Sequence, residues 1–254
     1  SQHTLRGNFV DLVQGEGEYV PEVVLDFLEN SVKLDMQKYS LMASKPSEKF
    51  QERYGDLPVV IGTLSLHSNA NELEVTYTVV GGKIFGLNMY VVAGSPMFSK
   101  DMPSDVKGIV GELLDGFKVV TKDDGVNAML DLLSKVDGAK NESATSDNIK
   151  LDVWIRPKYS SFSWSFIYNG AVYNKLSLSF EDGVFSGFLD DRHIYGVGST
   201  EVNVSSEKAV EVALGRAANF SYTFGGETYK DFVFDEQRIA AQLHVMGRDD
   251  PLLG

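Results

Sequence analysis

The chain contains no cysteine, and this absence removes several kinds of chemistry at once. Without thiols there are no disulfides, no thiolate metal ligands and no cysteine nucleophile. No run of about 18 apolar residues occurs, so no segment reads as a membrane-spanning helix. Phosphate-binding loops, dinucleotide fingerprints and Gly-x-Ser-x-Gly elbows are also missing. We therefore expect no cofactor, no catalytic residues and no enzymatic activity.

Basic residues are scarce relative to acidic ones. Among 254 residues there are 23 Lys and Arg against 36 Asp and Glu, which gives a formal net charge of −13. A surface of this sign repels nucleic acids and anionic membranes, so neither is an expected partner. The rest of the composition is typical of a globular protein, and an aromatic content of 11% favours β-sheet structure.

The first half of the chain alternates between helix and strand patterns. Apolar residues at three- and four-residue steps predict a helix from Tyr19 to Tyr39. A three-stranded meander follows, with Gly81-Gly82 as one tight turn. The predicted strands are Val59 to Leu66, Leu73 to Val80 and Ile84 to Val92. Two more helices are predicted, one opening at Pro103-Ser104-Asp105 and running through Phe117, the other from Asp123 to Val136.

The second half carries the clearest strand pattern. Apolar and polar residues alternate in three consecutive runs, and Asn169-Gly170 and Asp182-Gly183 separate them as hairpin turns. The core-facing members of these runs include Leu151, Val153, Ile155, Phe162, Trp164, Phe166, Tyr168, Leu176, Leu178 and Phe180. A helix from Ser205 to Asn219 and strands from Tyr229 to Phe234 and Ile239 to Met246 complete the prediction. This last unit is short of strands, so the C-terminal module is expected to be incomplete.

These patterns predict an α+β fold in which antiparallel meander sheets are each preceded by amphipathic helices, in two to three similar modules. The polar, small-residue stretch from Gly138 to Asp147 is the best candidate linker. We therefore divide the chain into residues 1–140, with a helix, a meander and two helices, and residues 141–254, with a meander, a helix and two strands.

Few residues suggest chemistry, and each has a simpler structural explanation. His3, His67, His193 and His244 show no ligand spacing, so no metal site is predicted. The cluster Asp190-Asp191-Arg192-His193 is interpreted as a turn rather than a Ca²⁺ site, since it lacks an EF-hand pattern. Ser104 and Ser205 each begin a Ser-x-x-Lys motif, as in some serine hydrolases, but both positions suit helix caps.

Two other features of the sequence bear on function. The row Phe162, Trp164, Phe166 and Tyr168 is interpreted as the packed face of a sheet, with a carbohydrate or peptide groove as the alternative. Glycosylation sequons begin at Asn141, Asn203 and Asn219. Asn141 lies in the predicted linker and is the best acceptor of the three if the protein is exported.

Several short stretches resemble uncharacterised archaeal secreted or surface-anchored proteins with PepSY-like helix-plus-sheet modules. The stretches are Phe27-Leu28-Glu29, Leu34-Asp35-Met36-Gln37-Lys38-Tyr39, Gly94-Ser95-Pro96-Met97-Phe98, Ser146-Asp147-Asn148-Ile149-Lys150-Leu151, Leu176-Ser177-Leu178-Ser179-Phe180-Glu181-Asp182-Gly183 and Val204-Ser205-Ser206-Glu207-Lys208-Ala209. The resemblance implies an extracellular or cell-surface domain, made with a signal peptide and often followed by a membrane anchor outside this segment. It implies no particular activity.

Taken together, these observations predict a non-catalytic extracellular or cell-surface protein that acts by contact with proteins. One form of this is self-assembly into a surface layer or filament through an open edge of the sheet from Tyr229 to Met246. The alternative is a module that binds a peptide or small ligand, as a PepSY-like unit that restrains a peptidase would. A hydrolase with a dispersed site is the remote third hypothesis.

Overall fold

The dominant feature of the described structure is one large antiparallel sheet against which helices pack. The computed structural model describes residues 4–6, 9–11, 19–44, 46–49, 57–168, 171–194, 204–217, 221–224 and 227–230. The strands in these ranges are β1 (Thr4–Arg6), β2 (Phe9–Asp11), β3 (Tyr19–Pro21), β4 (Ser40–Ala43), β5 (Ser47–Lys49), β6 (Val59–His67), β7 (Glu72–Val80), β8 (Lys83–Ala93), β9 (Glu142–Ser146), β10 (Ile149–Arg156), β11 (Tyr159–Tyr168), β12 (Ala171–Glu181), β13 (Val184–Asp190), β14 (Tyr222–Phe224) and β15 (Glu227–Tyr229).

The helices in the described ranges are α1 (Glu22–Asp26), α2 (Val106–Thr121), α3 (Val126–Ser134) and α4 (Ser206–Ala217). A π-helical turn (Phe27–Ser31) continues α1, and a short 3₁₀ turn follows at Met36–Lys38. Within the described residues, no helix combines the length and apolar character needed to cross a membrane. The predicted α+β class is therefore confirmed.

The main sheet contains ten strands and consists of two meanders placed edge to edge. Its strand order is β4-β6-β7-β8-β13-β12-β11-β10-β9, with β5 also paired to β6. All of these pairs are antiparallel. Smaller antiparallel sheets are formed by β1-β2-β3 and by β14-β15. The first meander and the second meander thus share one continuous sheet through the pair β8–β13.

The turns of both meanders follow directly from sequence. Gly81 and Gly82 have φ values of 56° and 79°, and Asp182 and Gly183 have 49° and 80°. Two consecutive residues at positive φ are what a two-residue hairpin of the favoured twist requires. Both predicted hairpins are confirmed, whereas Asn169-Gly170 lies outside the described residues.

The first helical segment, α2 and α3 cover one face of the main sheet, where the core lies. Val24 and Phe27 from the first helical segment, Leu113 from α2 and Met129 from α3 are fully or almost fully buried against strand residues. Trp164 on β11 is also fully buried, and its indole N–H donates to the carbonyl oxygen of Met129 at 3.1 Å. This confirms that the aromatic row begins as core, since Phe162 and Trp164 are both 0% exposed.

The long helix predicted from Tyr19 to Tyr39 is wrong in its extent. Residues 19–21 belong to β3, and the helical segment ends at Ser31. Lys33 adopts φ 67°, after which Leu34 bridges to Phe98. Leu34 is nevertheless fully buried, so the apolar spacing identified core residues whose backbone is only partly helical.

The predicted linker from Gly138 to Asp147 is also wrong, because half of it is a strand. Residues 142–146 form β9, the outermost strand beside β10. Asp147, at φ 49°, begins the two-residue loop between β9 and β10. Short polar residues suit a sheet edge because its outer side faces water. Composition alone therefore does not distinguish an edge strand from a linker.

The C-terminal predictions fall partly outside the described residues. The helix predicted from Ser205 to Asn219 is confirmed as α4, and the Ser205 hydroxyl accepts from the Lys208 N–H at 3.2 Å as a cap does. The predicted strand from Tyr229 to Phe234 extends beyond the described residues at 230, and the strand from Ile239 to Met246 lies outside them.

Candidate functional site

The two meanders meet along a short junction that we call the seam. Strands β8 and β13 pair there through Asn88 with Gly187, Leu87 with Phe188 and Gly86 with Leu189. The pairing ends at this point, although β13 continues to Asp190. Because so few main-chain pairs connect the two halves, side chains must supply much of the contact at the seam.

Aromatic rings supply part of that contact. Phe27 from the π-helical turn lies 4.7 Å from Phe188 of β13, measured between ring centroids, and Phe117 of α2 lies 5.1 Å from Phe188. Phe27 and Phe117 are edge-to-face at 6.1 Å. Such pairs each contribute roughly 0.5–1.5 kcal/mol beyond the burial of their surface. The rings join residues from both sides of the seam.

A cavity of about 250 Å³ opens beside these rings, and we call it the seam pocket. Its wall is apolar and its rim is polar, a combination typical of binding sites. The apolar wall comes from Val23, Phe27, Ile84, Phe117 and Val120. The polar rim comes from Lys83, Thr121, Asp123, Asp190 and His193.

A buried ion cluster, Asp190–Arg192–Asp123, forms one side of the seam pocket. The Asp190 and Arg192 side chains are only 1% and 8% exposed, and Asp123 is 20% exposed. Arg192 donates from Nε to Asp190 Oδ1 at 2.8 Å and from Nη2 to Asp190 Oδ2 at 2.7 Å. Its Nη1 forms an ion pair with Asp123 Oδ2 at 2.9 Å. One guanidinium therefore joins the end of β13 to the start of α3.

The turn after β13 is shaped to make this cluster. The backbone N–H of Arg192 also donates to Asp190 Oδ1, at 3.1 Å, so the carboxylate closes its own turn. The Arg192 guanidinium lies 5.5 Å from the Phe166 ring centroid, which packs its flat side. Burial acts to lower the pKa of Arg192, but hydrogen bonds and charge from Asp190 and Asp123 outweigh it and raise the pKa.

Asp191 points away from the cluster, toward β12. Its backbone N–H donates to the Lys175 carbonyl oxygen at 3.1 Å, and its Oδ1 accepts from the Lys175 N–H at 2.5 Å. Burial raises the pKa of the Asp191 carboxyl, and the nearby charge of Asp190 acts in the same direction, while the hydrogen bond from Lys175 opposes both. This residue extends the strand pairing rather than the pocket.

His193 lies on the rim, with Nε2 3.7 Å from Asp190 Oδ2. Burial lowers the pKa of His193, the charges of Lys83 and Arg192 lower it further, and Asp190 acts in the opposite direction. This shift favours the neutral imidazole.

Three of the polar groups that line the seam pocket, Asp190, Asp123 and Thr121, are engaged in holding structure. Both carboxylates bind Arg192, and Asp123 Oδ1 also accepts from the Gly125 N–H at 2.9 Å, just before α3. The Thr121 hydroxyl donates to the Phe117 carbonyl oxygen at 2.7 Å. Groups held in this way fix the shape of the pocket.

The sequence predicted the turn at Asp190-Asp191-Arg192-His193 correctly and missed its buried charges. Phe188 and Asp190 are two residues apart on β13, so both side chains point to the core face. A carboxylate on that face needs a cationic partner, and Arg192 is the nearest cation in sequence. The two-residue spacing of Phe188 and Asp190 is the signal that would have identified the Asp190–Arg192 ion pair. Asp123 is 67 residues earlier, and no local pattern connects it.

The other predicted site residues lie elsewhere. The Asn141 side chain stands before β9, where its Oδ1 accepts from the Ile155 N–H at 2.6 Å. Asn203 and Asn219, the other two sequon residues, lie outside the described residues, as do His3 and His244. His67 approaches Glu72 at 3.8 Å, far along the chain from His193. In the described ranges, no three His, Asp or Glu side chains cluster as metal ligands would.

The two Ser-x-x-Lys motifs differ in outcome. Ser205 caps α4, as predicted, but the cap of α2 is Asp105, whose side chain accepts from the Gly108 N–H at 2.8 Å. The assignment of Ser104 as that cap is therefore wrong by one residue. The carboxylate is a suitable acceptor at this position because the positive end of the helix dipole lies there.

Comparison with known proteins gives little further information. No family model matches the chain, and no curated protein matches it. Among solved structures, the chain is similar to the Bacillus megaterium YpeB C-terminal domain, with 12% sequence identity and a TM-score of 0.34. The alignment covers 81% of this chain and 79% of that chain. At this level of likeness no residue role is transferred, and function has to be argued from the site itself.

Proposed function

We propose that this protein is a non-catalytic binding protein that acts by protein–protein contact, and that the seam pocket accepts an apolar side chain of a polypeptide partner. The observation that carries the proposal is the pocket itself: an apolar wall, about 250 Å³ of space and a rim of fixed charges. This joins the two leading hypotheses from sequence, protein contact and peptide binding, at one site.

The volume of the pocket supports a side chain rather than a whole cofactor as the occupant. Pockets for drug-sized ligands measure roughly 300–1,000 Å³, and the seam pocket is smaller. Val23, Ile84 and Val120 offer aliphatic contacts, which favour a leucine, methionine or phenylalanine anchor. Burying one such side chain contributes roughly 1.5–3 kcal/mol. This is the size of a typical anchor residue at a protein interface.

The charges around the pocket support binding without catalysis. Asp190 and Asp123 are both held by Arg192, so the carboxylates at the rim are fixed by ion pairs. His193 is held less tightly, because its Nε2 lies 3.7 Å from Asp190 Oδ2. Its place on the rim suits it to accept or donate one hydrogen bond to a peptide backbone.

The proposal is tested by filling the pocket. In the Val120→Phe variant, a larger side chain occupies the space that the anchor needs. Val119→Phe is the matched control, because Val119 is the neighbouring residue on α2 and is 73% exposed. A random-peptide phage library is selected on the wild-type protein, and the enriched peptides are then titrated against all three proteins by isothermal titration calorimetry.

We expect the enriched peptides to carry a leucine, methionine or phenylalanine and to bind Val119→Phe as they bind wild type. Binding to Val120→Phe should weaken by roughly ten- to a hundredfold, which corresponds to loss of one buried anchor. Equal binding to both variants, or enrichment of polar peptides only, would refute the pocket as the site. Cleavage of the peptides, seen by mass spectrometry, would contradict the non-catalytic part of the proposal.

We also propose that the protein works outside the cell or at its surface. The support is the resemblance to secreted proteins with PepSY-like modules and the exposed sequon at Asn141, which stands at the surface before β9. Fractionation of the producing cells and mass spectrometry of the native protein test this. Recovery from the cytosol, with an unmodified Asn141 peptide, is the result that contradicts export.

A further inference from the structure

The strand β9 forms one edge of the main sheet. Within the described part of the chain it pairs with β10 alone, from Glu142 opposite Val153 to Ser146 opposite Ile149. Its outer side thus offers main-chain groups that β10 does not use. An edge of this kind accepts another strand unless it is protected.

The register shows which of those groups point outward. The loop between β9 and β10 has two residues, so its flanking pair, Ser146 and Ile149, exchanges main-chain hydrogen bonds. Bonded and non-bonded pairs alternate along an antiparallel ladder, so Ala144 and Glu142 also direct their main-chain groups toward β10. Ser143 and Thr145 therefore present their N–H and C=O groups away from the sheet.

The opposite edge of the sheet is protected in a way that β9 is not. There β4 and β5 pair with successive parts of β6, and β4 ends at Ala43 while β5 begins only at Ser47. The Ser44 hydroxyl donates to the Thr63 carbonyl oxygen at 3.2 Å and accepts from the Thr63 N–H at 3.1 Å. Pro46 has no N–H that could pair with another strand. A second strand cannot run continuously along an edge that is interrupted in this way.

We propose that β9 pairs antiparallel with β9 of a second copy of this chain, around a two-fold axis at Ala144. In that register, Ser143 of each copy lies opposite Thr145 of the other. Their outward main-chain groups are then matched in two bonded pairs, which adds four hydrogen bonds. The dimer extends the ten-stranded sheet across the axis, and the isologous contact closes on itself.

The side chains are compatible with this pairing. Ser143 and Thr145 are exposed, while Ala144 packs against the core, so the exposed face brings hydroxyl against hydroxyl. Glu142 lies opposite Ser146 of the second copy, so no like charges are directly opposed. The strand is short, and we therefore expect a weak, concentration-dependent dimer.

The test changes the charges that face each other across the axis, in protein produced without glycosylation. The double variant Ser143→Lys with Thr145→Lys places like charges opposite each other twice, as does Ser143→Glu with Thr145→Glu. The double variant Ser143→Lys with Thr145→Glu pairs opposite charges and is the matched control. Sedimentation equilibrium is measured from about 10 µM to about 1 mM protein, a range suited to weak interfaces, and circular dichroism verifies the fold.

We expect wild type and the mixed-charge control to dimerise. Each of the two like-charge variants should remain monomeric when it is measured by itself. Mixing the two like-charge variants should restore association, because opposite charges then face each other. A monomeric wild type throughout the range would overturn the proposal, and so would like-charge variants that dimerise as wild type does. The seam pocket takes no part in this contact, so peptide binding there stands or falls separately.

Discussion

Replacing Asp190 by asparagine should lower the free energy of unfolding by about 3 kcal/mol, the lower end of the cost of breaking a buried ion pair. Asp190 is 1% exposed and receives three hydrogen bonds from Arg192, two from the guanidinium and one from the backbone N–H. The asparagine keeps the size of the side chain and removes its charge. Arg192, itself 8% exposed, is left with Asp123 as its remaining anionic partner.

The magnitude follows from comparing the two carboxylates that hold Arg192. Charge-assisted hydrogen bonds contribute roughly 1.5–3 kcal/mol each. Asp190→Asn weakens the one that the amide oxygen still accepts and removes the other, because the NH₂ group that replaces the second oxygen is a donor. Asp123 makes a single 2.9 Å contact to Arg192, and its side chain is 20% exposed, against 1% for Asp190. We therefore expect Asp123→Asn to cost about 1 kcal/mol, at the upper end of exposed pairs.

The structure supplies a spectroscopic probe for this measurement. Trp164 is fully buried, with its N–H bonded to Met129, so its fluorescence should change when the core opens. Urea titrations of wild type, Asp190→Asn, Arg192→Met and the double variant complete a double-mutant cycle. The double variant should recover part of the loss, because the buried guanidinium is then absent and only the Asp123 carboxylate, which is 20% exposed, keeps a charge in the cluster.

Two outcomes would refute this reasoning. Equal costs for Asp190→Asn and Asp123→Asn would mean that burial does not set the strength of the cluster. A cycle without coupling between Asp190 and Arg192 would mean that the short contacts in the structure contribute little to stability. Either result would also remove the argument that the cluster fixes the shape of the seam pocket.

Two further predictions concern pH and helix packing. Burial lowers the pKa of His193 from its usual 6.5, the charges of Lys83 and Arg192 lower it too, and Asp190 and Asp123 act in the opposite direction. The unfolded chain therefore binds the proton more readily than the folded protein, so stability should fall as pH drops below about 6.5. In urea titrations from pH 7 to pH 5, His193→Gln should lessen that fall. On α2, a Cβ at Gly116 would meet the backbone of Asn30 and Ser31, whereas one at Gly111 would have Leu133 at 3.9 Å as its nearest neighbour. Gly116→Ala should therefore destabilise by about 1–3 kcal/mol, while Gly111→Ala should stabilise by up to about 1 kcal/mol; equal thermal midpoints for the two variants would contradict the close packing of α2.

Local patterns predicted local structure well in this chain. The alternation along β10, β11 and β12 identified buried Leu151, Phe162 and Trp164, because a strand places every second side chain on one face. Glycines in the right pairs identified the hairpins for an equally local reason. The helix predicted from Tyr19 to Tyr39 failed for a different reason. The segment after Ser31 keeps a helical spacing of apolar residues while its backbone changes, since burial constrains side chains more strongly than it constrains φ and ψ.

The candidate site could not be predicted in the same way, because its parts are distant in sequence. Asp123, Ile84 and Arg192 come from a helix start, a strand and a turn, and they meet only because β8 pairs with β13. That pairing joins strands about a hundred residues apart, and no turn connects them directly. Hairpin signals specify neighbours along the chain, so the seam between the two meanders, and everything built at it, depends on tertiary packing.

The position of the pocket follows from how that pairing ends. Phe188 lies in the paired stretch of β13 and contacts Phe27 and Phe117, so the seam is closed there by rings and main chain together. Two residues further on, Asp190 has left the register, and β8 no longer supplies a partner for its main chain. The chain then turns onto Arg192, whose side chain is held by carboxylates instead of by a strand. A gap bounded by apolar walls and fixed charges remains between the helices at this point, and a ligand that enters it contacts both halves of the sheet.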